Sequence, residues 1–194
     1  MNFTSLILAS GSPRRDQLLK QIGLKFSVIP SSVYEDFSLA LSPEAFTEHW
    51  AREKAKSVAN TNENSLVLGA DTIVVLDGKI LGKPKDEHDS FSMLQSMSGK
   101  THEVITGVSL ISINSEIDFT FNEKTFVSFN TLSDDHIRYY IDNYSPFDKA
   151  GSYGIQDWFS VHIHKIEGCY FNVMGLPLSA FYQRYNALLN SKID

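Results

Sequence analysis

The chain has 194 residues, with 17 Lys and Arg against 23 Asp and Glu, so its formal net charge at pH 7 is −6. Hydrophobic residues make up 42% of the sequence and aromatic residues 12%, which suffices for a packed core and excludes a disordered, collagen-like or disulfide-stapled chain. A net negative charge also argues against broad binding to nucleic acid or to an anionic membrane, because both are polyanions.

Hydrophobic periodicity and turn residues predict the elements of the first half of the chain. A buried strand over 6–9 runs into a helix that has Ser12 as its N-cap, Pro13 as its first residue and Gly23 at its end. The next predicted elements are a strand over 26–30, a helix from 43 to about 59, a strand over 65–70, and a hairpin of 72–76 and 79–81 around Asp77-Gly78.

The second half continues with interleaved helices and strands. The predicted elements are a helix over 86–97 that ends at Gly99, strands over 102–113 and 119–129, a helix over 134–144 capped by Ser133-Asp134-Asp135, a strand over 160–166, a loop over 167–177, and a last helix from about 178 to 189. This interleaving predicts an α/β fold with a mixed twisted sheet and flanking helices. The length predicts one domain over 1–194, or two small lobes sharing a cleft.

Two further features of the sequence concern location. Cys169 is the single cysteine, so an internal disulfide is excluded, and a reducing cytoplasmic location is expected. We find no apolar run of about 18–20 residues, the length that a membrane span requires. No membrane partner is therefore expected.

A loop that enters a helix is the first candidate site. It reads Ser10-Gly11-Ser12-Pro13-Arg14-Arg15 and follows the first predicted strand. Unpaired N–H groups at a helix N-terminus and two guanidinium groups favour a phosphate ligand. The alternative is an ordinary capped helix with two solvated arginines, since the loop has neither a Walker A ending nor a GxGxxG pattern.

Acidic residues form the second candidate group. Asp71 is predicted at the end of an apolar strand, where the ligand sites of open α/β sheets lie. A carboxylate there can hold a hard cation or accept a proton from water. Glu35 and Asp36 lie in a polar loop and are further candidates. The alternatives are a turn or cap role for Asp71 and a solvated loop for the other two.

Lysines and one glutamine complete the candidates. Lys54 and Lys56 lie two residues apart on a predicted helix, so at most one of them can face a cleft. Lys83 follows the hairpin, and Gln156 lies in a glycine-containing loop where its amide can bind a base edge or a carbonyl. Solvated surface lysines and a simple turn are the alternatives. Cations and acids beside a helix start together predict a phosphate ligand with a divalent metal.

The order of several short motifs identifies a family resemblance. The sequence resembles the Maf family of nucleoside triphosphate pyrophosphatases, of Maf/Ham1 type, over nearly its whole length. The motifs that carry the resemblance are Leu8–Arg15, Ala51–Ala55, Gly69–Thr72, Leu81–Pro84, Ser98–His102, Lys149–Gln156 and Asn172–Leu178. The Lys-Ala-Gly-x-Tyr-Gly-Ile-Gln form of the sixth motif is similar to the subgroup that acts on dTTP and UTP, although Asp157 stands where a glycine often follows.

The resemblance implies a reaction, a metal and a set of roles. The reaction is hydrolysis between the α and β phosphates, giving a nucleoside monophosphate and pyrophosphate, with Mg²⁺ or Mn²⁺. It also implies two lobes around a cleft and often a homodimer. By matching position, Asp71 is the catalytic proton acceptor and Glu35 is a polar residue of the cleft. We expect Glu35 and Asp71 to help hold the metal. The residues implied to bind the nucleotide are Ser10, Arg14, Arg15, Lys54, Thr72, Lys83 and Gln156, of which Arg14, Thr72 and Gln156 fall on positions tied to substrate choice.

Two other functions stay open at this stage. The same fold can act on 7-methyl-GTP or on other non-standard nucleotides. Alternatively, the chain is a nucleotide-binding regulator of cell division or septum formation that binds without turnover. Retained acids and cations favour the hydrolase, because a regulator that only binds its nucleotide has no need of a base.

Overall fold

The computed structural model describes residues 3–190, and within them it has seven strands and six α-helices. The strands are β1 (Leu6–Leu8), β2 (Ser27–Val28), β3 (Leu66–Leu76), β4 (Lys79–Leu81), β5 (Thr101–Ser112), β6 (Ile117–Phe129) and β7 (Ile163–Glu167). The helices are α1 (Pro13–Gln21), α2 (Pro43–Ala59), α3 (Glu87–Met97), α4 (Asp134–Tyr144), α5 (Tyr170–Val173) and α6 (Leu178–Asn190). No helix within residues 3–190 is long and apolar enough to cross a membrane.

The strands form one mixed sheet. Its order is β2-β1-β3-β5-β6-β7, and β4 pairs with β3 outside this path. Strand β1 runs parallel to β2 and β3, whereas the β3–β4 and β6–β7 pairs are antiparallel. The prediction of an α/β fold with a mixed sheet and flanking helices is therefore confirmed.

The chain divides into two compact units, and the four divisions fall within β3, β5 and β6 and between α5 and α6. The first unit comprises residues up to Asp71, Thr106–Glu123 and the segment from Gly175 onward; the second comprises Thr72–Ile105 and Lys124–Met174. In the first unit, one core cluster joins β1 and β3 to α2 and consists of Ile7, Ala9, Ala55, Val58, Ala59, Val67 and Ile111. Small residues in this cluster let helix and sheet approach closely.

The second unit has a core rich in aromatic rings. Buried members include Phe129, Tyr140, Tyr153 and Phe159, whose ring centroids lie 4.9–5.4 Å apart in tilted or edge-on pairs. Such arrangements bury large apolar areas with favourable ring geometry. Two residues of this core, Tyr153 and Phe159, flank Gln156 in the chain.

Several sequence predictions are confirmed. Asp77 and Gly78 both have positive φ, of 50° and 77°, in the predicted hairpin turn, which is the geometry of a tight two-residue turn. Ser133 caps α4 by accepting a hydrogen bond from the His136 N–H. Gly23 and Gly99 follow α1 and α3 with positive φ, as predicted for residues that end helices.

Three predictions were wrong. Asp71 does not end a strand, because β3 continues without a break to Leu76. Residues 160–162 are not strand, since Asp157 caps a 3₁₀ turn over Trp158–His162 by accepting from the Phe159 N–H, and β7 begins only afterwards. The loop before the last helix contains the short helix α5.

Candidate active site

A close approach of α2 to β3 builds the site in the first unit. An added Cβ on Gly69 would lie 2.2 Å from the carbonyl oxygen of Ala51 and 2.7 Å from the amide nitrogen of Ala55. Only glycine therefore fits at this point of β3, and the alanines one turn apart on α2 are the small residues that it faces. Lys54 lies between these alanines in sequence, so the contact fixes its backbone near the strand.

Lys54 joins two carboxylates. Its Nζ lies 2.7 Å from Asp71 Oδ1 and 2.5 Å from Glu35 Oε1. The side chains are 14% exposed for Lys54, 5% for Asp71 and 28% for Glu35, so exposure increases from Asp71 outward. Lys56, two residues further along α2, is exposed, which agrees with the prediction that at most one of these two lysines faces a cleft.

The environment of Asp71 favours a proton acceptor. Burial raises the pKa of Asp71 above the usual carboxyl range, and the nearby charge of Glu35 raises it further, while Lys54 and Arg15 act in the opposite direction. A carboxylate with a raised pKa is a stronger base. Within the described residues, Asp71 Oδ2 is buried and has no hydrogen-bond partner, which leaves it available to a ligand.

Arg15 is buried beside this group. Its Nε donates to the carbonyl oxygen of Gly175 at 2.8 Å, and its Nη1 donates to Ser10 Oγ at 2.9 Å. Burial lowers the pKa of Arg15, Arg14 lowers it further, and the charges of Asp71 and Glu35 oppose this shift. The guanidinium thus connects the loop after β1 with the segment that precedes α6.

The start of α1 differs in one respect from the sequence prediction. Ser12 occupies the N-cap position and Pro13 the first turn, but no side-chain capping hydrogen bond of Ser12 is found among the described residues. Instead, the Ser12 N–H donates to Ser10 Oγ at 3.3 Å. Ser10, rather than Ser12, is the hydroxyl that organises this loop.

The remaining predicted residues belong to the second unit. Thr72 follows Asp71 on β3 and is half-buried, and Lys83 is exposed two residues after the end of β4. Gln156 is exposed in the loop between α4 and β7. Their assignment to nucleotide binding stays a prediction.

Sequence comparison places the chain among known proteins. The model of the family described as Maf-like protein matches residues 5–188. The chain belongs to the Maf family. Its Maf relatives include two proteins named dTTP/UTP pyrophosphatase. The one from Syntrophomonas wolfei is 49% identical over 90% of this chain and 93% of its own. The one from Thermosipho africanus is 51% identical over 90% of this chain and 88% of its own.

Comparison with solved structures adds a distant neighbour. The Staphylococcus aureus Ham1 protein has a TM-score of 0.45 and 16% sequence identity, over 64% of this chain and 71% of its own. The Maf assignment is carried by the sequence matches.

Six of the predicted residues of this Maf protein come together in the first unit. They are Ser10, Arg14, Arg15, Glu35, Lys54 and Asp71, linked by the hydrogen bonds and charge interactions above. Sequence reasoning missed two backbone contributions, the close approach at Gly69 and the carbonyl of Gly175. A glycine inside a run of large apolar residues, opposite alanines four residues apart on a helix, is the signal that indicates the first.

The positions of Glu35 and Asp71 show whether these acids could hold the divalent metal that the family resemblance implies. Within residues 3–190, no group of three or more His, Cys, Asp or Glu side chains is placed to hold a metal ion. Glu35 and Asp71 nevertheless converge, and Asp71 Oδ2 is available. Mg²⁺ usually binds through one or two carboxylates together with substrate phosphates. The pair therefore fits a cation that arrives with a triphosphate, and it does not resemble a site built from protein ligands alone.

Proposed function

We propose that this Maf protein is a nucleoside triphosphate pyrophosphatase, a hydrolase acting on acid anhydrides, with dTTP and UTP as its substrates. The observation that carries the proposal is the buried Asp71 carboxylate, which has a raised pKa and one oxygen available to a ligand. The names of relatives that are 45–51% identical over about nine-tenths of the chain support the choice of substrates.

The proposed reaction is attack of water on the α phosphorus. Asp71 takes a proton from the water as the new P–O bond forms, and the bond from the α phosphorus to the bridging oxygen breaks. The electron pair leaves with pyrophosphate, and the nucleoside monophosphate keeps the oxygen from water. General-base assistance of this kind contributes about 10²–10⁴-fold to a rate.

Cationic side chains would offset the charge of the triphosphate. Lys54 holds Asp71 and Glu35, so its ammonium can turn from a carboxylate to a phosphate oxygen when substrate enters. Arg14 and Arg15 lie at the start of α1, where the helix dipole also favours an anion. In the same proposal Ser10, Thr72 and Lys83 contact the nucleotide, and Gln156 contacts its base.

Glu35 and Asp71 would hold the divalent cation, Mg²⁺ or Mn²⁺. When bound, it would polarise phosphate oxygens and lower the pKa of an attacking water. Without the cation, the ammonium of Lys54 bridges the two carboxylates and offsets part of their negative charge. Dialysis against EDTA should therefore abolish turnover without unfolding the protein, and added Mg²⁺ or Mn²⁺ should restore it. Full activity in EDTA would contradict the metal assignment.

A substrate panel tests the proposed function. Purified protein is incubated with dTTP, UTP, CTP, GTP, ATP and 7-methyl-GTP, and pyrophosphate and orthophosphate are measured separately. We expect pyrophosphate from dTTP and UTP. Pyrophosphate from 7-methyl-GTP alone would support the other pyrophosphatase subgroup. Binding without release from any nucleotide would refute the enzyme and favour the regulator of cell division or septum formation.

Isotope labelling tests the position of attack. In water enriched in ¹⁸O, attack on the α phosphorus places the label in the nucleoside monophosphate. Attack on the β phosphorus places it in pyrophosphate, and mass spectrometry of the two products distinguishes the outcomes. Label in pyrophosphate would contradict the proposed mechanism.

Location and assembly are part of the same proposal. A cytoplasmic enzyme has direct access to the nucleotide pool, because charged triphosphates do not cross membranes unaided. Cell fractionation tests this location. We also propose a homodimer, for which sedimentation equilibrium at several concentrations is the test, and a monomer at all of them would contradict it.

A further inference from the structure

The loop that carries Gln156 is anchored on both sides of that residue. Among residues 151–156, Gln156 is exposed and the other five are buried. A loop in which the residues before Gln156 are buried, while its amide side chain is exposed, is suited to present that amide to a ligand. The contacts that anchor the loop show which residues control its position.

Tyr140 and Asp157 form the central anchor. The hydroxyl of Tyr140, on α4, accepts a hydrogen bond from the Gly154 N–H at 2.9 Å and donates to Asp157 Oδ2 at 3.0 Å. Asp157 Oδ1 accepts from the Phe159 N–H at 3.1 Å. The phenol and the carboxylate therefore hold the backbone two residues before Gln156 and directly after it.

The protonation of Tyr140 suits this arrangement. Burial raises the pKa of Tyr140 well above its usual range, and the charge of Asp157 raises it further. The hydroxyl hence stays protonated at neutral pH and keeps its role as donor to Asp157. Its side chain is fully buried among the rings of the second unit, which restricts its movement.

Gly154 is required for this contact. An added Cβ at Gly154 would lie 2.4 Å from Asp157 Oδ2 and 3.0 Å from Lys149 Cε. Any larger residue would displace the carboxylate that binds Tyr140. Glycine is therefore needed at position 154, because a side chain there would disturb the hydrogen bond between Asp157 and Tyr140.

The beginning of the loop is anchored as well. The Gly151 N–H donates to the Gly82 carbonyl at 3.0 Å, and the hydroxyls of Ser152 and Ser90 are 2.5 Å apart. Ser152 has a positive φ of 62°, an unusual conformation for a residue with a side chain. The surrounding contacts keep it in this conformation, so the loop enters residues 153–157 along one path.

We propose that Tyr140 and Asp157 are positioning residues for Gln156, which fix residues 154–157 so that its amide meets the nucleotide base in one orientation. The inference rests on the proposed function, in which Gln156 contacts the base. An amide carries both a donor and an acceptor, so it can satisfy the 4-oxo group of uracil or the 4-amino group of cytosine. Discrimination between these bases therefore requires a fixed approach of the amide.

The test compares UTP with CTP, which differ at that ring position. The measured quantity is the ratio of kcat/KM for UTP to kcat/KM for CTP. Tyr140→Phe removes both hydrogen bonds of the hydroxyl, and we expect the ratio to fall about threefold to tenfold, the effect of one or two hydrogen bonds. Tyr139→Phe is the matched control on the exposed side of α4, and its ratio should equal that of the wild type.

A double-mutant cycle shows whether the effect passes through Gln156. In a Gln156→Ala background, Tyr140→Phe should change the ratio by less than about twofold, because coupled residues are non-additive. Asp157→Asn, which keeps the side-chain shape, provides a second variant should Tyr140→Phe fold poorly. The proposal would be overturned if Tyr140→Phe lowered the UTP to CTP ratio equally with Gln156 and with Ala at position 156. It would also be overturned if neither Tyr140→Phe nor Asp157→Asn changed the ratio.

Amide hydrogen exchange tests the anchor without relying on catalysis. Exchange of the Gly154 amide should become about tenfold faster in Tyr140→Phe than in Tyr139→Phe, since one hydrogen bond of ordinary strength is lost. Unchanged exchange would overturn the positioning role whatever the enzyme assay shows. Absence of turnover by the wild type, with faster exchange in Tyr140→Phe, would instead refute the proposed function.

Discussion

Replacing Gly69 by alanine tests how the fold builds the site. The new Cβ would lie 2.2 Å from the Ala51 carbonyl oxygen and 2.9 Å from the Ala55 Cβ. Both neighbours belong to α2, so no flexible side chain can move aside. Relieving only the shortest contact to about 3.0 Å requires α2 and β3 to separate by about 0.8 Å.

This displacement gives two magnitudes. Overpacking of this kind costs about 1–3 kcal/mol of unfolding free energy. The Lys54–Asp71 contact of 2.7 Å would lengthen to about 3.5 Å, beyond the range of a normal N–H···O hydrogen bond. A misplacement of about 1 Å at a catalytic group can lower turnover about 10²-fold. We therefore expect Gly69→Ala to fold with reduced stability and to lose most of its activity.

Urea unfolding and pyrophosphate release from dTTP measure the two effects separately. Gly23→Ala is the control, because it too adds a Cβ to a glycine but meets no atom within 4 Å in the described part of the chain. Unlike Gly69, Gly23 has a positive φ, of 73°. The control variant should lose stability through backbone strain but keep its turnover. Wild-type turnover in Gly69→Ala would refute the argument that this close approach sets the Lys54–Asp71 geometry.

Three further substitutions test individual side chains. Arg15→Lys cannot reproduce the fork that joins Ser10 to Gly175, so urea unfolding should show a loss of about 1–3 kcal/mol; wild-type stability would argue against this link. Lys54→Met removes the charge that lowers the pKa of Asp71, so the acidic limb of the pH profile of kcat/KM should move to higher pH; an unmoved limb would contradict the pairing. Burial lowers the pKa of His102 to about 4, below its unfolded value, so the neutral ring stabilises the fold above pH 6.5 and this contribution is lost as pH falls towards 4. The wild type should lose about 3 kcal/mol more than His102→Gln over that window, which urea unfolding at several pH values measures. Equal losses in the two proteins would contradict this role of His102.

Local signals predicted much of the fold correctly. Asp77-Gly78, the cap at Ser133 and the glycines after helices act through their immediate neighbours, so sequence alone indicates them. Asp71 was placed wrongly, because a charged residue in an apolar run resembles a strand end. In the structure, Lys54 from α2 satisfies the charge and β3 continues. Lys54 lies on a different element from Asp71, so no local pattern in the sequence around Asp71 predicts this contact.

In the candidate site, too, local sequence predicts some features, whereas others depend on contacts between distant elements. Helical spacing predicted that Lys54 and Lys56 could not both face it, and this is confirmed. Glu35 lies in an irregular loop, where periodicity gives no direction, so its contact with Lys54 required the structure. The family resemblance supplied the roles, but the anchoring of residues 154–157 by Tyr140 depends on contacts across the second unit.

The most direct test of the account is the turnover of Asp71→Asn on dTTP with the divalent cation present. Asparagine keeps the size of the side chain but cannot accept the proton from water. We predict that kcat for pyrophosphate release falls by about 10²–10⁴-fold, with KM changed only a few-fold and folding confirmed by urea unfolding. A folded Asp71→Asn variant that kept more than about a tenth of wild-type turnover would contradict the role of Asp71 as the base.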